Sequence, residues 1–229
     1  MRWDSLASLP LFIGMSQKEL EGIMTKTRID FNKVEAGTVI AKRNQPCGKL
    51  TIAISGELLC QTCSEDNTYK IEENVNAPII LQALGIFGKY QVFTKTIKAI
   101  TQTNTITFEK DELHKLLDTS LIFRINLIRI LATQLQKREQ ELWAQQYQPK
   151  GKTLTERNND LLVYHIKQFI KCRCFTPAGR KVFYINRATL GNLLGQNRQQ
   201  ISKALDCLKQ EGLLISSRGK IVIPQLQDL

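Results

Sequence analysis

The sequence predicts an α+β chain with three parts: an N-terminal antiparallel β-roll with leading helices, a long central dimerisation helix, and a C-terminal winged helix-turn-helix. Three observations predict it. Between Thr27 and Phe108, short alternating apolar runs are punctuated by Gly, Pro, Asn and Asp. From Ser120 to Tyr147 a helical pattern runs without Pro or Gly. From Ile185 to Pro224 the chain reads as two short helices around a tight turn, followed by a hairpin. The boundaries are 1–119 for the roll with its leading helices, 120–148 for the long helix and 149–229 for the last domain.

Along the chain, Leu6 to Met24 form a helical lead-in that Pro10 breaks and in which Ser16 caps a helix at Gln17. The runs Val34 to Gly37, Val39-Ile40, Leu50 to Ile54, Gly56 to Cys60, Tyr69 to Ile71 and Ile97 to Phe108 suggest about eight short strands. Asp111 to Leu117 turn helical. On the long helix, Leu121, Ile125, Ile128, Leu131, Ala132, Leu135 and Leu142 make an apolar stripe. About 27 helical residues span roughly 40 Å, more than either domain needs internally. That length suggests a dimer interface built on Ile125, Ile128, Leu131, Ala132, Leu135 and Leu142, against the alternative that the stripe packs on its own roll. Gln148 to Lys152 read as a linker, and Thr153 to Glu156 as a capping box opening a helix with Leu161, Leu162, His165 and Phe169.

In the last domain Asn186 is a good N-cap, and Leu190, Leu193 and Leu194 supply an apolar face that ends at Gly195, where the turn needs positive φ. A second helix begins near Asn197. At 100° steps Ile201, Ala204, Leu205 and Leu208 share one side, while Gln199, Ser202, Lys203, Asp206 and Gln210 share the other. The exposed face opens with Arg198, Gln199 and Gln200, whose long donor-rich side chains suit base edges and phosphates in a major groove. Lys203 lies one turn beyond Gln199, and Asn197 is a further candidate for the DNA backbone. Leu213 to Ile215 and Ile221 to Ile223 flank Ser-Ser-Arg-Gly-Lys, a hairpin whose tip carries Arg218 and Lys220 for phosphate.

Charge agrees with a polyanion partner. The chain has 32 Lys and Arg against 21 Asp and Glu, a net +11, and residues 150–229 alone hold 14 against 5. At 229 residues and 42% hydrophobic content there is room for two cores. With no apolar run approaching ~20 residues and no signal-peptide core after Met1, the expectation is a cytoplasmic chain without a membrane partner. The six cysteines are scattered, and read as reduced thiols.

The order of parts resembles the bacterial Crp/Fnr family of transcription regulators over nearly the whole length. Ile52-Ala-Ile-Ser-Gly-Glu57 looks like that family's strand-Gly-Glu hairpin, and Ile185 to Gly219 match its DNA-binding part without gaps. The resemblance implies that Asn186 caps the first helix, that Arg198, Gln199 and Lys203 read bases, and that Gln200 contacts the backbone. It also implies a near-palindromic duplex operator, a homodimer, and contact with RNA polymerase if the chain activates. Where well-known members have Glu in the middle base-reading position this chain has Gln199, so a different operator is expected. Members that bind cyclic nucleotides hold the phosphate with Gly-Glu and an Arg followed by Ser or Thr. Gln82-Ala83 and Phe93-Thr94 stand there instead, leaving a degenerate effector pocket from which cyclic AMP loses two charge-assisted anchors, each worth about 1.5 to 3 kcal/mol.

No cofactor and no metal site is expected. Haem or an iron–sulfur cluster stays open, since Cys60-Gln-Thr-Cys63 is the only C-x-x-C and His114 and His165 are the only histidines. A redox role for Cys172-Arg-Cys174 also stays open. Catalytic motifs are missing: no P-loop, no G-x-S-x-G and no H-E-x-x-H occurs, so a non-enzyme is expected. The rival from another class is a ligand-sensing regulatory subunit that does not bind DNA.

Overall fold

The computed structural model describes residues 7–144 and 154–229 and divides into two compact units. Unit 1 comprises residues 1–60 and 75–135, and unit 2 residues 61–74 and 136–229. This division differs from boundaries at 119/120 and 148/149. It runs through two strands of the roll and through the long helix, for a reason found in unit 2.

In unit 1, helix α1 (Gln17–Lys26) begins at Ser16, whose side chain accepts from the Glu19 amide while Glu19 reaches back to the Ser16 amide. Strands β1 (Ile29–Val34), β2 (Val39–Ala41), β3 (Lys49–Ser55), β4 (Glu57–Cys63), β5 (Lys70–Asn76), β6 (Ile79–Ile80), β7 (Thr96–Ala99) and β8 (Thr103–Glu109) supply the roll. One sheet has the order β1-β8-β3-β6, and β2-β7-β4 begin the other. Gly56 joins β3 to β4 at φ +104°, and a Cβ there would stand 2.5 Å from Thr103 Oγ1 and 2.9 Å from Gln102 O. Only glycine fits that turn. Between β6 and β7 lies the short helix α2 (Leu84–Phe87), and after β8 come α3 (Lys110–Thr119) and the long α4 (Leu121–Ala144).

Within unit 1, Phe12 packs between Phe108 and Phe123 at centroid distances of 6.2 and 5.7 Å. Asn126 is buried on α4 and its Nδ2 donates to Leu11 O at 3.1 Å and Ile13 O at 2.8 Å, tying the lead-in to the helix. Phe123 and Leu127 are buried on that same side. The helix therefore has two apolar faces, and the stripe read from sequence is only the outer one. Leu131 belongs partly to the inner face, since it is half-buried against the roll core. The Leu142 side chain, the linker Gln148 to Lys152 and the cap Thr153 lie outside the described residues.

Unit 2 holds α5 (Leu154–Arg173), β9 (Lys181–Tyr184), α6 (Arg187–Leu194), α7 (Arg198–Gln210), β10 (Ile215–Ser217) and β11 (Lys220–Ile223). Its sheet runs β10-β11-β9-β5-β4, so the tip half of the β4–β5 hairpin is a structural part of it. β5 pairs with β9 antiparallel from Lys70↔Tyr184 to Glu73↔Lys181. Ile71 joins Ile166, Phe183, Ile201, Leu205 and Ile223 in one core. Glu73 and Lys181 are 1% and 0% exposed, their charged atoms 3.5 Å apart. The Glu73 carboxylate accepts from the Phe175 amide at 2.6 Å and the Thr176 amide at 3.3 Å, and Lys181 Nζ donates to Thr176 Oγ1 at 2.5 Å.

Two local expectations change, and the C-x-x-C pair finds its place. The wing turn is Arg218-Gly219 alone, with Gly219 at φ +74°, because Ser216, Ser217 and Lys220 pair as strand residues. Leu193 is exposed, leaving Leu190 and the half-buried Leu194 to face the core. Cys60 and Cys63 lie on β4 itself, three residues apart on alternating sides of a strand, which turns their thiols apart.

Glu73→Ala leaves the Lys181 ammonium buried without its counter-charge and should destabilise unit 2 by about 3 to 5 kcal/mol, while Glu73→Met combined with Lys181→Met should recover most of that loss. Urea unfolding of the three proteins, followed by amide exchange at Val182 and Phe183, checks both outcomes.

Candidate nucleic-acid interface

Helix α6 starts where the Asn186 side chain accepts from the Thr189 amide at 2.8 Å. It stops at Gly195 in the left-handed region, φ +64°. A Cβ on Gly191 would stand 2.5 Å from Gln196 O, so helix and turn meet backbone to backbone. This contact sets how α7 leaves the turn. At its start, Asn197 Oδ1 accepts from the Gln200 amide at 2.9 Å, and Gln200 Oε1 accepts from the Asn197 amide at 3.2 Å. Both residues expected to contact a DNA backbone thus form the capping box of α7, and Gln200 is half-buried.

Ile201, Ala204, Leu205 and Leu208 are buried, which presses one side of α7 into the core of unit 2. Arg198, Gln199 and Lys203 are exposed on the other side, and with Ser202 they line one open concavity. The structure thus brings all three expected base-reading side chains together. Ser202 contributes a contact that periodicity did not single out: its hydroxyl accepts from Arg187 Nη1 at 3.1 Å and donates to Arg198 O at 2.9 Å, linking α6 to α7. On the wing, Arg218 is exposed and Lys220 is half-buried, its Nζ lying 5.7 Å from the centroid of the Tyr184 ring. Two cations, two amide-bearing or hydroxyl side chains and a positively ended helix face can bind phosphate and base edges together.

In the roll, two of the residues expected to form a degenerate effector pocket, Gln82 and Thr94, are hydrogen-bonded to each other. Gln82 Nε2 donates to Val92 O at 2.9 Å, while its Oε1 accepts from the Thr94 amide at 3.2 Å and the Thr94 hydroxyl at 3.4 Å. A Cβ on Gly85 would lie 2.8 Å from Gln82 Nε2 and 3.3 Å from Cys47 Sγ, so α2 closes tightly over this bridge. Ala83 is buried in the roll core and Phe93 packs against it. Burial pushes the Cys47 thiol up.

Among the described residues no group of three or more His, Cys, Asp and Glu could hold a metal ion, and no helix is long and apolar enough to cross a membrane. His114 stacks edge-on to Phe87 at 5.5 Å on the roll unit, and His165 lies on α5 of the other. Cys172 and Arg173 end α5, and Cys174 is buried beyond it.

A second surface lies on α4. Leu121, Ile125, Ile128 and Leu135 are 63%, 45%, 59% and 61% exposed, opposite the buried Phe123 and Leu127. Ala132 is exposed with them. Large apolar side chains repeated at helical spacing on an open face mark an interaction surface.

No protein-family profile and no curated protein sequence matches the chain. Solved structures do. The catabolite activator protein of Thermus thermophilus superposes with a TM-score of 0.52 at 16% identity, over 93% of each chain. The CO-dependent transcription factor CooA from Carboxydothermus hydrogenoformans gives 0.44 at 15% identity, over 100% of this chain and 97% of its own. The first likeness shows that the chain has a Crp/Fnr-like fold, of β-roll, long helix and winged helix-turn-helix.

Asn197→Ala removes the acceptor for the Gln200 amide and should cost about 1 kcal/mol. Urea unfolding measures the loss, and faster amide exchange at Gln200 than in the unsubstituted protein locates it at the first turn of α7.

Proposed function

We propose that the chain is a homodimeric, sequence-specific DNA-binding transcription regulator of the Crp/Fnr type, cytoplasmic and not an enzyme. The observation that carries this reading is the presentation of Arg198, Gln199 and Lys203 on the free side of a capped helix whose other side is locked in the core. The wing cations Arg218 and Lys220 supply phosphate contacts, and the charge excess of residues 150–229 attracts the duplex from a distance. Asn197 and Gln200 act on DNA through the amides of the turn they order.

The open apolar face of α4 supports a second copy as the partner. Ile125, Ile128, Ala132 and Leu135 pair with their counterparts across a two-fold axis, with Leu131 at the edge. Two recognition helices then enter successive major grooves ~34 Å apart on a near-palindromic operator. If the regulator activates, RNA polymerase is a further partner. The signal received by the roll is not cyclic AMP: Gln82-Ala83 and Phe93-Thr94 supply no charged anchor for a phosphate, and Gln82 and Thr94 are hydrogen-bonded to each other instead.

Selection from a random duplex pool at ~150 mM salt should recover an inverted repeat with half-sites one helical turn apart. Arg198→Ala should relax one base position per half-site, at about 1 to 3 kcal/mol of discrimination, whereas Lys220→Ala should weaken operator and random duplex alike. Equal effects of both substitutions on both duplexes would refute that division of labour. Ile128→Asp should convert dimer to monomer in sedimentation equilibrium and abolish operator binding with it. Calorimetry with cyclic AMP should give no heat, and micromolar binding would overturn the reading of the pocket.

A further inference from the structure

The β5–β9 ladder does more than complete a sheet, for it sets a third basic side chain beside the wing. Ser217 pairs with Lys220 at the wing turn, Lys220 reaches over the Tyr184 ring, and Tyr184 pairs across strands with Lys70. Cross-strand partners put their side chains on the same face. Lys70 Nζ and Lys220 Nζ each lie 5.7 Å from the Tyr184 centroid. Lys70 therefore stands two strand spacings from Lys220, on the order of 10 Å. Tyr184 is two residues ahead of Asn186, the cap of the first helix of the helix-turn-helix, so this row ends where that motif begins.

Glu72 lies among these cations and decides how much charge they present. Its Oε1 accepts from Gln61 Nε2 at 2.9 Å and pairs with Lys70 Nζ at 2.5 Å, while its Oε2 accepts from the Tyr184 hydroxyl at 3.0 Å. Burial alone pushes the Glu72 carboxyl up, but the bonds from Lys70, Tyr184 and Gln61 outweigh it and hold the group below the usual carboxylate range. The same carboxylate holds the Tyr184 phenol above its ordinary range. The one carboxylate of the row is thus committed to Lys70 and Tyr184, while Lys220 on the other side of the ring and the exposed Arg180 add to the positive side. The row is net positive.

We propose that Lys70, carried by the tip of the β4–β5 hairpin, is a phosphate contact of the DNA-binding surface, adjoining Lys220 and seated by the Glu73–Lys181 pair. It rests on the DNA-reading function proposed above, and it makes residues 61–74 of the roll hairpin part of the DNA footprint. Each dimer carries two such lysines. Phosphate contacts release counterions, so each removed contact flattens the salt dependence of binding by about 0.9 in log–log slope.

The test uses full-length protein, the selected operator and a scrambled duplex, titrated between ~50 and ~300 mM salt. Lys70→Gln should lower affinity for both duplexes by about tenfold at ~150 mM salt and flatten the slope by about 2 per dimer. Lys70→Arg should retain the slope, and Glu72→Gln should raise affinity for both duplexes. Amide exchange at Val182 and Phe183 reports whether β5 is still seated in each variant. An unchanged slope for Lys70→Gln, whether affinity falls or not, overturns the contact, and a fall with lost β9 protection assigns Lys70 a structural role instead. A wild-type chain without any salt-dependent duplex binding would fail the DNA-reading function itself, a result distinct from a steep wild-type slope that Lys70→Gln leaves intact.

Discussion

Two charges buried side by side constrain everything built on β9. Glu73 and Lys181 have almost no contact with solvent, and a carboxylate or an ammonium left there without its partner carries a penalty comparable to the stability of a small domain. Strand β9 can therefore exist in this sheet only with β5 along its edge. The loop through Phe175 and Thr176 follows, since its amides complete the Glu73 carboxylate. So does the helix-turn-helix, because Ile185 alone separates β9 from the cap of α6. The direction in which Arg198 and Gln199 point is set by a residue more than a hundred positions earlier.

The long helix obeys a second constraint. A single polar residue, Asn126, makes its inner side specific, because a buried amide must find acceptors and finds them in Leu11 and Ile13. Phe12 is held between Phe108 and Phe123 by the same contact. With its inner side committed to the roll, the helix leaves Leu121, Ile125 and Ile128 exposed among the described residues of unit 1. Burying that face against an identical helix satisfies the hydrophobic effect without adding any new element.

The parts legible in the sequence are those whose causes are local. Asn186, Gly195 and Asn197 announce the ends of two helices because capping and left-handed turns need particular residue types, and the 100° arithmetic sorts Ile201 and Leu205 from Gln199 and Lys203 correctly. Residues with non-local causes were not legible. Glu72 and Glu73 look like solvated charges until β9 is placed beside them, and Lys181 looks like a surface lysine. Leu131 fits the outer stripe by spacing, yet lies against the roll core because α4 is apolar on both sides. The wing turn was read too long because Ser216, Ser217 and Lys220 are polar, although backbone pairing accepts polar residues at a sheet end. At Gln82 the lack of charge was legible, but not that its amide would bridge to Val92 and Thr94.

The hairpin also has a history during synthesis. Tyr184 lies 112 residues after Glu72, an interval on the order of 10 s at typical elongation rates. For that time the outer edge of β5 emerges from the ribosome with its backbone donors and acceptors unpaired, the condition that invites pairing with another chain. The Lys-Ile-Glu-Glu sequence of β5 puts charge on three of the four residues that will later meet β9. Two nascent copies meeting edge to edge would have to bury those charges with no Lys181 to receive them. The ion pair that closes the finished sheet thus also guards the unfinished one, admitting only the strand that brings the matching charge.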